Sequence, residues 1–197
     1  MKMIKIAVTG GIGSGKSTVL KIISDLGYQT VSLDEVYEEL LKDEKFVLKI
    51  SNAMSIEPIY EDGKACLDRK GVSQKVFCDK YLLNKLNALT HSAIFEKAFK
   101  NQTQNIAFYE VPLLFEGNYQ SLFDKVIVVI RNKELRIESA MQRDNASQNY
   151  VVNKINNQFD YDNSDLSLHT IIENNSNLEE LTNKVVRAIK SIEKEFI

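Results

Sequence analysis

A glycine-rich stretch near the N-terminus has the composition and spacing of a phosphate-binding loop. Residues 10–17 read Gly-Gly-Ile-Gly-Ser-Gly-Lys-Ser, which fits the pattern G-x4-G-K-[ST]. Glycines let backbone N–H groups turn inward around a phosphate, Lys16 can reach the β- and γ-phosphoryl oxygens, and Ser17 can ligate Mg²⁺. A plain glycine turn between a strand and a helix needs neither the Lys-Ser pair nor so many glycines. The stretch therefore predicts a site for ATP and Mg²⁺, formed by Gly11, Ile12, Gly13, Ser14, Gly15, Lys16, Ser17 and Thr18.

The residues on either side predict the two elements that such a loop requires. Residues 2–9 form an apolar, β-branched run that ends at Gly10, as a buried strand entering a turn does. Residues 15–26 carry apolar side chains at helical spacing, and Gly27 occupies the place of a helix C-cap. Strand, loop and helix in this order distinguish a phosphate loop from a chance match.

One long segment interrupts the alternation of strands and helices that follows. Residues 28–33 predict a second strand, and Asp34 begins an amphipathic helix. Residues 46–100 show no pattern of a buried strand but include a long helical pattern at 81–99. We interpret 46–100 as a helical insertion.

Two further strands are predicted at 105–111 and 125–131, each followed by a helix. The second is a near-continuous apolar run, which is typical of a parallel strand covered on both faces. A short strand around 169–172 and an amphipathic helix at 178–195 complete the alternating pattern. The chain is therefore predicted to adopt a three-layer α/β fold with a parallel core sheet.

Composition and charge exclude several other classes of protein. At 197 residues and 44% hydrophobic, the chain can form a single globular unit, and its formal charge of −2 argues against a nucleic-acid partner. No run approaches the ~20 apolar residues of a membrane span, and the N-terminal residues lack a signal pattern, so we expect no membrane partner and a cytoplasmic location. Cys66 and Cys78 lack spaced partners and are interpreted as ordinary thiols.

A phosphate loop alone does not identify the reaction, because one fold supports many functions. The N-K-x-D sequence with which GTPases read the base is absent, and there is no long domain of the kind that couples ATP hydrolysis to mechanical work. These observations favour a kinase that acts on a small molecule.

Four longer segments carry more specific motifs than the loop. Residues 8–18 read Val-Thr-Gly-Gly-Ile-Gly-Ser-Gly-Lys-Ser-Thr, and residues 67–91 contain Leu-Asp-Arg, Val-Phe and Leu-Asn-Ala-Leu-Thr-His in that order. Residues 110–116 read Glu-Val-Pro-Leu-Leu-Phe-Glu, and residues 143–178 contain Arg-Asp, then Gln158, then Ile-Glu-Asn and a leucine. Together these segments span the chain almost from end to end and resemble those of the dephospho-coenzyme A kinase family.

The resemblance implies a P-loop kinase with a core sheet of five strands. Its activity would be phosphorylation of the ribose 3′-hydroxyl of dephospho-coenzyme A, the last step of coenzyme A biosynthesis. It implies that Asp34 accepts or orients the proton of the attacking hydroxyl, with Lys16 and Arg143 as further catalytic residues. A helix N-cap is the alternative role for Asp34. The resemblance further implies that Glu110 holds Mg²⁺ together with Ser17, although the family commonly has aspartate at that position.

Substrate contacts are also carried over from the family, residue by residue. Arg69 and His91 would bind the acceptor, although a lone histidine is usually structural. Leu114 would line the acceptor cleft, with a core role as the alternative. The residues predicted to bind substrate are Asp34, Arg69, His91, Leu114 and Arg136.

The predicted organisation is one P-loop kinase unit over residues 1–197 that is a monomer or a weak homo-oligomer. Its core would comprise residues 1–45, 101–135 and 161–197, its substrate-binding insertion residues 46–100 and its lid residues 136–160. Rival hypotheses are a nucleoside or nucleoside-monophosphate kinase of similar fold, and a nucleotide-binding regulator without catalytic activity.

The chain departs from the family pattern at four places, three of which affect charged positions. Glu38 stands where the family has arginine, in a segment that has also lost its first acid. Ser92 replaces proline after the histidine, and Leu168 and His169 replace an Ala-Asp pair before the last strand. Because of these changes, the family's contacts to the acceptor and to the adenine cannot be carried over at these positions.

The fourth departure is Ser139, which replaces an arginine one helical turn before Arg143. On the helix predicted from 133 to 143, Arg136 lies three residues before Ser139 and Arg143 four residues after it. We predict that Arg136 and Arg143 jointly supply the charge that steadies the γ-phosphoryl group, with Arg143 dominant. The alternative is that Arg136 is a solvated surface residue.

Overall fold

The computed structural model describes residues 3–77 and 79–196. It contains a five-stranded sheet in the order β2-β5-β1-β6-β7 and a separate two-stranded hairpin of β3 and β4. The strands are β1 (Ile4–Thr9), β2 (Gln29–Ser32), β3 (Ile59–Glu61), β4 (Lys64–Cys66), β5 (Ile106–Glu110), β6 (Lys125–Ile130) and β7 (Thr170–Glu173). β1 pairs in parallel with β5 and β6, and β6 pairs in parallel with β7.

The helices described alternate with the strands of the larger sheet or fall between β2 and β5. They are α1 (Lys16–Asp25), α2 (Leu33–Leu40), α3 (Glu44–Met54), α4 (Arg69–Phe77), α5 (Lys80–Lys100), α6 (Lys133–Asp144), α7 (Gln148–Asn156) and α8 (Leu178–Phe196). The predicted parallel α/β fold is confirmed. Across the described residues, no helix is both long and apolar enough to cross a membrane.

The hydrophobic core lies where β1, β5, β6 and β7 meet α1 and α8. The apolar runs of β1 and β6 are buried almost throughout, as is typical of the central strands of a parallel sheet. α8 contributes one apolar stripe to this core: Leu181, Val185, Ile189 and Ile192. The core fixes the carboxyl edge of the sheet, from which the glycine-rich loop leaves β1.

The chain divides into two compact units. One comprises the residues up to Val31 together with those from Gln102 onward, and it contains almost the whole larger sheet and the glycine-rich loop. The other is Ser32–Asn101, which contains α2 to α5 and the hairpin. The finer division into core, insertion and lid stays a prediction.

One expectation from the sequence is wrong, because β5 is followed by turns and a short 3₁₀ helix, Gln120–Leu122, rather than by an α-helix. The segment 46–100 is mainly helical and also contains the antiparallel hairpin of β3 and β4, in which β3 is exposed. Asp62 and Gly63 connect these strands with positive φ angles of 49° and 76°, as a two-residue Asp-Gly hairpin turn requires. Cys66 on β4 is a half-buried free thiol, as predicted, and Cys78 lies outside the described residues.

Candidate active site

The glycine-rich loop joins β1 to the first turn of α1, and its conformation depends on glycine. Gly13 has φ 73°, and a Cβ there would lie 2.1 Å from the carbonyl oxygen of Arg136. Gly15, the N-cap of α1, has φ 93°, and a Cβ there would lie 2.2 Å from Nδ2 of Asn174. Both positions therefore exclude a side chain by backbone angle and by lack of space.

The ammonium group of Lys16 lies against the loop itself. Its Nζ donates hydrogen bonds to the carbonyl oxygens of Gly10 at 2.8 Å and Gly11 at 3.1 Å. The neighbouring Ser17 and Thr18 are exposed in the first turn of α1. The loop thus presents a cation and two hydroxyls at a helix N-terminus, which is an arrangement suited to an anion such as a phosphate.

Side chains from three other segments hold the peptide groups of the loop. The N–H of Ile12 donates to Oε1 of Gln158 at 2.8 Å, and the carbonyl oxygen of Ile12 accepts from Nε of Arg136 at 3.1 Å. Asn174 donates from Nδ2 to the carbonyl oxygen of Ser14 at 2.9 Å. Gln158 and Asn174 are motif positions of the family resemblance, but the sequence did not predict that their side chains hydrogen-bond to the loop backbone.

Arg136 lies against the loop and is almost completely buried. Its side chain is 4% exposed, its Nη1 lies 3.4 Å from the carboxylate of Asp162, and its Nη2 lies 2.3 Å from the place of a Cβ on Gly11. The alternative that Arg136 is a solvated surface residue is therefore wrong. Its direct contact with substrate stays a prediction.

Ser139 has an arginine beside it that sequence reasoning did not consider. Nη1 of Arg131 donates to Oγ of Ser139 at 2.8 Å and to the carbonyl oxygen of Gly13 at 3.4 Å. Arg131 directly follows β6, whose neighbour β1 leads into the glycine-rich loop. Only the fold brings these three residues together.

Arg143 and Glu110 are the two other charged residues of this unit that the sequence analysis places at the site. Arg143 is exposed near the end of α6, where its Nε and Nη2 bind the Asp144 carboxylate at 2.7 and 3.0 Å. Hydrogen bonding to Asp144 raises the pKa of Arg143, and the charge of Glu110 acts in the same direction. Glu110 is half-buried at the end of β5, in register with Val8 of β1. Its carboxylate is therefore positioned at the carboxyl edge of the sheet.

An aromatic cluster lies next to the loop's supporting residues. The Phe115 ring stacks on Phe159 with centroids 4.4 Å apart, and His169 lies 5.4 Å from Phe115. Tyr161 joins the cluster, its hydroxyl is 3.2 Å from that of Thr9, and burial raises its pKa to about 12. Leu114 is 0% exposed, which favours its core alternative. Its contact with substrate stays a prediction.

Within the second unit, Asp34 lies in the first turn of α2 and is exposed. The N-cap of that helix is Ser32, whose hydroxyl accepts from the N–H of Glu35 at 3.4 Å. The alternative that Asp34 caps the helix is therefore wrong. The carboxylate is available for a role other than capping.

Arg69 and His91, also in the second unit, differ in their surroundings. Arg69 forms an ion pair with Glu38, with Nη2 2.6 Å from Oε2 and both side chains more than half exposed. The hydrogen bond from Arg69 holds the pKa of Glu38 below its usual range. His91 is half-buried on α5, and burial lowers its pKa, which favours the neutral imidazole. Glu38, which stands where the family has arginine, thus contacts Arg69, the residue predicted to bind substrate.

Gly13→Ala is expected to destabilise the chain and abolish ATP binding. The alanine must adopt an unfavourable positive φ, at about 1–3 kcal/mol, and its Cβ would collide with the backbone of Arg136. Gly63→Ala is the matched control, because Gly63 has φ 76° but open space around it. Thermal unfolding and ATP titration of both variants check this. Equal losses of stability, with ATP affinity retained in both, would contradict the close packing at Gly13.

Sequence and structure comparisons find relatives that match this chain over almost its whole length. The family profile described as dephospho-CoA kinase matches residues 4–180. Dephospho-CoA kinase of Fusobacterium nucleatum is 31% identical over 195 residues, which cover 98% of this chain and 100% of that protein. The solved structure of dephospho-CoA kinase from Campylobacter jejuni is 30% identical in sequence and superposes with a TM-score of 0.67. The crystal structure of the protein TT1252 from Thermus thermophilus is 25% identical and superposes with a TM-score of 0.79. Both comparisons cover 100% of each chain.

Proposed function

Because the chain belongs to the dephospho-CoA kinase family, we propose that it transfers the γ-phosphoryl group of ATP to the ribose 3′-hydroxyl of dephospho-CoA, the final step of coenzyme A biosynthesis. The observation that carries this proposal is the family match over residues 4–180, which include the whole glycine-rich loop at 10–17. The members of this family are kinases and use ATP. The position of the phosphorylated hydroxyl and the role of each residue are the proposed parts.

Catalysis of phosphoryl transfer depends mainly on positioning and on neutralisation of charge. The N–H groups of the loop and the start of α1 bind the β- and γ-phosphoryl oxygens, and Lys16 supplies the nearest fixed cation. Lys16 would exchange its hydrogen bonds to Gly10 and Gly11 for bonds to those oxygens. Arg143 supplies a second positive charge, since a guanidinium group stays protonated at physiological pH.

The metal proposed at this site is Mg²⁺, and the residues present fit it. Ser17 offers an exposed hydroxyl, and Glu110 offers a carboxylate at the edge of the sheet. Mg²⁺ prefers oxygen ligands and is typically held by one or two carboxylates together with phosphates and water. When bound, it neutralises charge on the β- and γ-phosphoryl groups. Ser17 and Glu110 would hold it.

Asp34 is the proposed base for the attacking hydroxyl. Its side chain is exposed and has no capping role, so it can accept a hydrogen bond from the ribose. Accepting the proton in the transition state gives the acceptor oxygen more nucleophilic character. Arg69 and His91 are proposed to bind the acceptor and Arg143 to act on the transferred group, while Arg136 contributes by holding the loop. We propose a monomer or a weak homo-oligomer, which sedimentation velocity over a concentration series would test.

Glu38→Gln is expected to lower the KM for dephospho-CoA about two- to fivefold while kcat stays the same. The Glu38 carboxylate neutralises Arg69, and an exposed ion pair of this kind contributes little stability, so its loss leaves a cation for the acceptor's phosphates. Steady-state kinetics with dephospho-CoA as the varied substrate measure the change. Glu39→Gln, a neighbouring exposed acid on α2, is the control. A higher KM in Glu38→Gln would instead show that Glu38 positions Arg69.

A substrate panel tests the proposed function. The purified chain is incubated with ATP, Mg²⁺ and, in turn, dephospho-CoA, nucleosides and nucleoside monophosphates. We expect phosphorylation of dephospho-CoA at a kcat/KM well above that of every other acceptor. Preference for a nucleoside or a monophosphate would assign the chain to the rival kinase class, and ATP binding without turnover of any acceptor would support the regulator.

A further inference from the structure

We infer that Arg131 replaces the missing arginine at position 139 and binds the phosphate chain of ATP. The inference rests on the proposed function for the identity of the nucleotide. Its evidence comes from contacts within the unit that contains the glycine-rich loop. No motif of the sequence analysis includes Arg131.

The position of Arg131 in the fold directs it to the loop. It follows β6 at the carboxyl edge of the sheet, and the parallel neighbour β1 ends at the same edge. Ligands of open α/β sheets bind at this edge. Its guanidinium group lies against the loop, with Nη1 3.4 Å from the carbonyl oxygen of Gly13.

The contact with Ser139 identifies which function Arg131 has taken over. Nη1 donates to Oγ of Ser139 at 2.8 Å, so the guanidinium lies at the side chain that has replaced an arginine. A positive charge is thereby restored beside position 139 from a different element of the fold. The serine is small enough to leave room for it and polar enough to orient it.

The hydrogen bonding of Arg131 is incomplete. Its Nε is buried and has no hydrogen-bond partner among the described residues, while the two hydrogen bonds described for the side chain both use Nη1. Leaving a buried, charged donor unsatisfied is unfavourable. The described hydrogen bonds leave Nη2 unused, so its N–H groups are the donors proposed for a phosphate oxygen, which matches the planar geometry of a guanidinium group.

Arg136 is less suited to this role. Its buried guanidinium donates to the carbonyl oxygen of Ile12 at 3.1 Å and lies beside Asp162. Its Nη2 also packs against the loop, 2.3 Å from the place of a Cβ on Gly11. Because the Arg136 guanidinium is already committed to the loop backbone and to Asp162, Arg131 is the better candidate for the compensating charge.

The test measures ATP affinity directly in Arg131→Ala and Arg131→Lys. Arg131→Ala is expected to raise the Kd for ATP about 10- to 100-fold and to weaken the salt dependence of binding, because a charged hydrogen bond to phosphate is lost. Arg131→Lys should retain the salt dependence and lose less affinity. Arg187→Ala, which removes an exposed arginine of α8, should change neither quantity.

A double variant separates phosphate binding from structural support. Adding Ser139→Arg to Arg131→Ala should restore at least about tenfold of the lost affinity, because it returns a guanidinium to the same place. If Arg131→Ala lowers the melting temperature while ATP affinity and its salt dependence stay unchanged, Arg131 is only a brace and the inference is wrong. ATP binding without conversion of dephospho-CoA in the unmodified chain would refute the proposed function and leave this test intact.

Discussion

Lys16→Ala is expected to lower turnover of ATP and dephospho-CoA by about 10³-fold or more, on the scale of losing a central electrostatic contact to the transition state. The Lys16 ammonium already lies on the loop, 2.8 Å from the carbonyl oxygen of Gly10. It is therefore held near the place where the γ-phosphoryl group must bind. Single-turnover kinetics at saturating ATP measure the transfer step itself.

Lys21→Ala is the matched control for this variant. Lys21 lies on the same helix, α1, but its ammonium is exposed and pairs with Asp25 at 3.3 Å. An exposed pair four residues apart contributes little, so turnover should stay close to that of the unmodified chain. A Lys16→Ala variant as active as Lys21→Ala would refute the role of Lys16 in transfer.

Asp34→Asn is expected to lower kcat by about 10²-fold or more and to leave the Kd for ATP within a few-fold. The amide keeps the size and polarity of the carboxylate but cannot accept the hydroxyl proton. Because Ser32 caps α2, the substitution does not remove a helix cap. Rapid-quench kinetics together with ATP titration separate the two effects.

Glu35→Gln provides the control, since Glu35 is the adjacent exposed acid in the first turn of α2. It changes the charge near the helix start by the same amount without touching the proposed base. If Asp34→Asn loses ATP affinity as strongly as turnover, Asp34 acts through the metal or the nucleotide. The assignment of Asp34 as base would then be wrong.

Local sequence patterns predicted the strands and helices in which buried positions recur at a regular spacing. The apolar run at 125–131 corresponds to β6, and the helical spacing at 81–99 corresponds to α5. Both were predictable because a strand and a helix each place their apolar residues at a characteristic period. Gly27 adopts φ 92° just after α1, as expected of a C-terminal glycine. The loop at 10–17 was likewise predictable, because phosphate binding restricts its residue types.

The parts that were missed depend on contacts between distant segments or on an overlooked turn signal. Asp62-Gly63 is a strong two-residue hairpin signal, but the strands it joins have three residues each, too short to show a period. Arg131 and Ser139 are eight residues apart, and Arg131 reaches Gly13 across 118 positions. No local pattern encodes such a contact. The burial of Arg136 against the loop was invisible for the same reason.

The most direct test of the account is the conversion of dephospho-CoA by the purified chain with ATP and Mg²⁺. The product is separated by chromatography, its mass is determined and the phosphorylated position is assigned by phosphorus NMR. We predict coenzyme A bearing the new phosphate on the ribose 3′-oxygen, formed in equal amount to the ADP released, with Lys16→Ala as the inactive reference. ADP release without coenzyme A, or phosphate on another atom, would contradict the account.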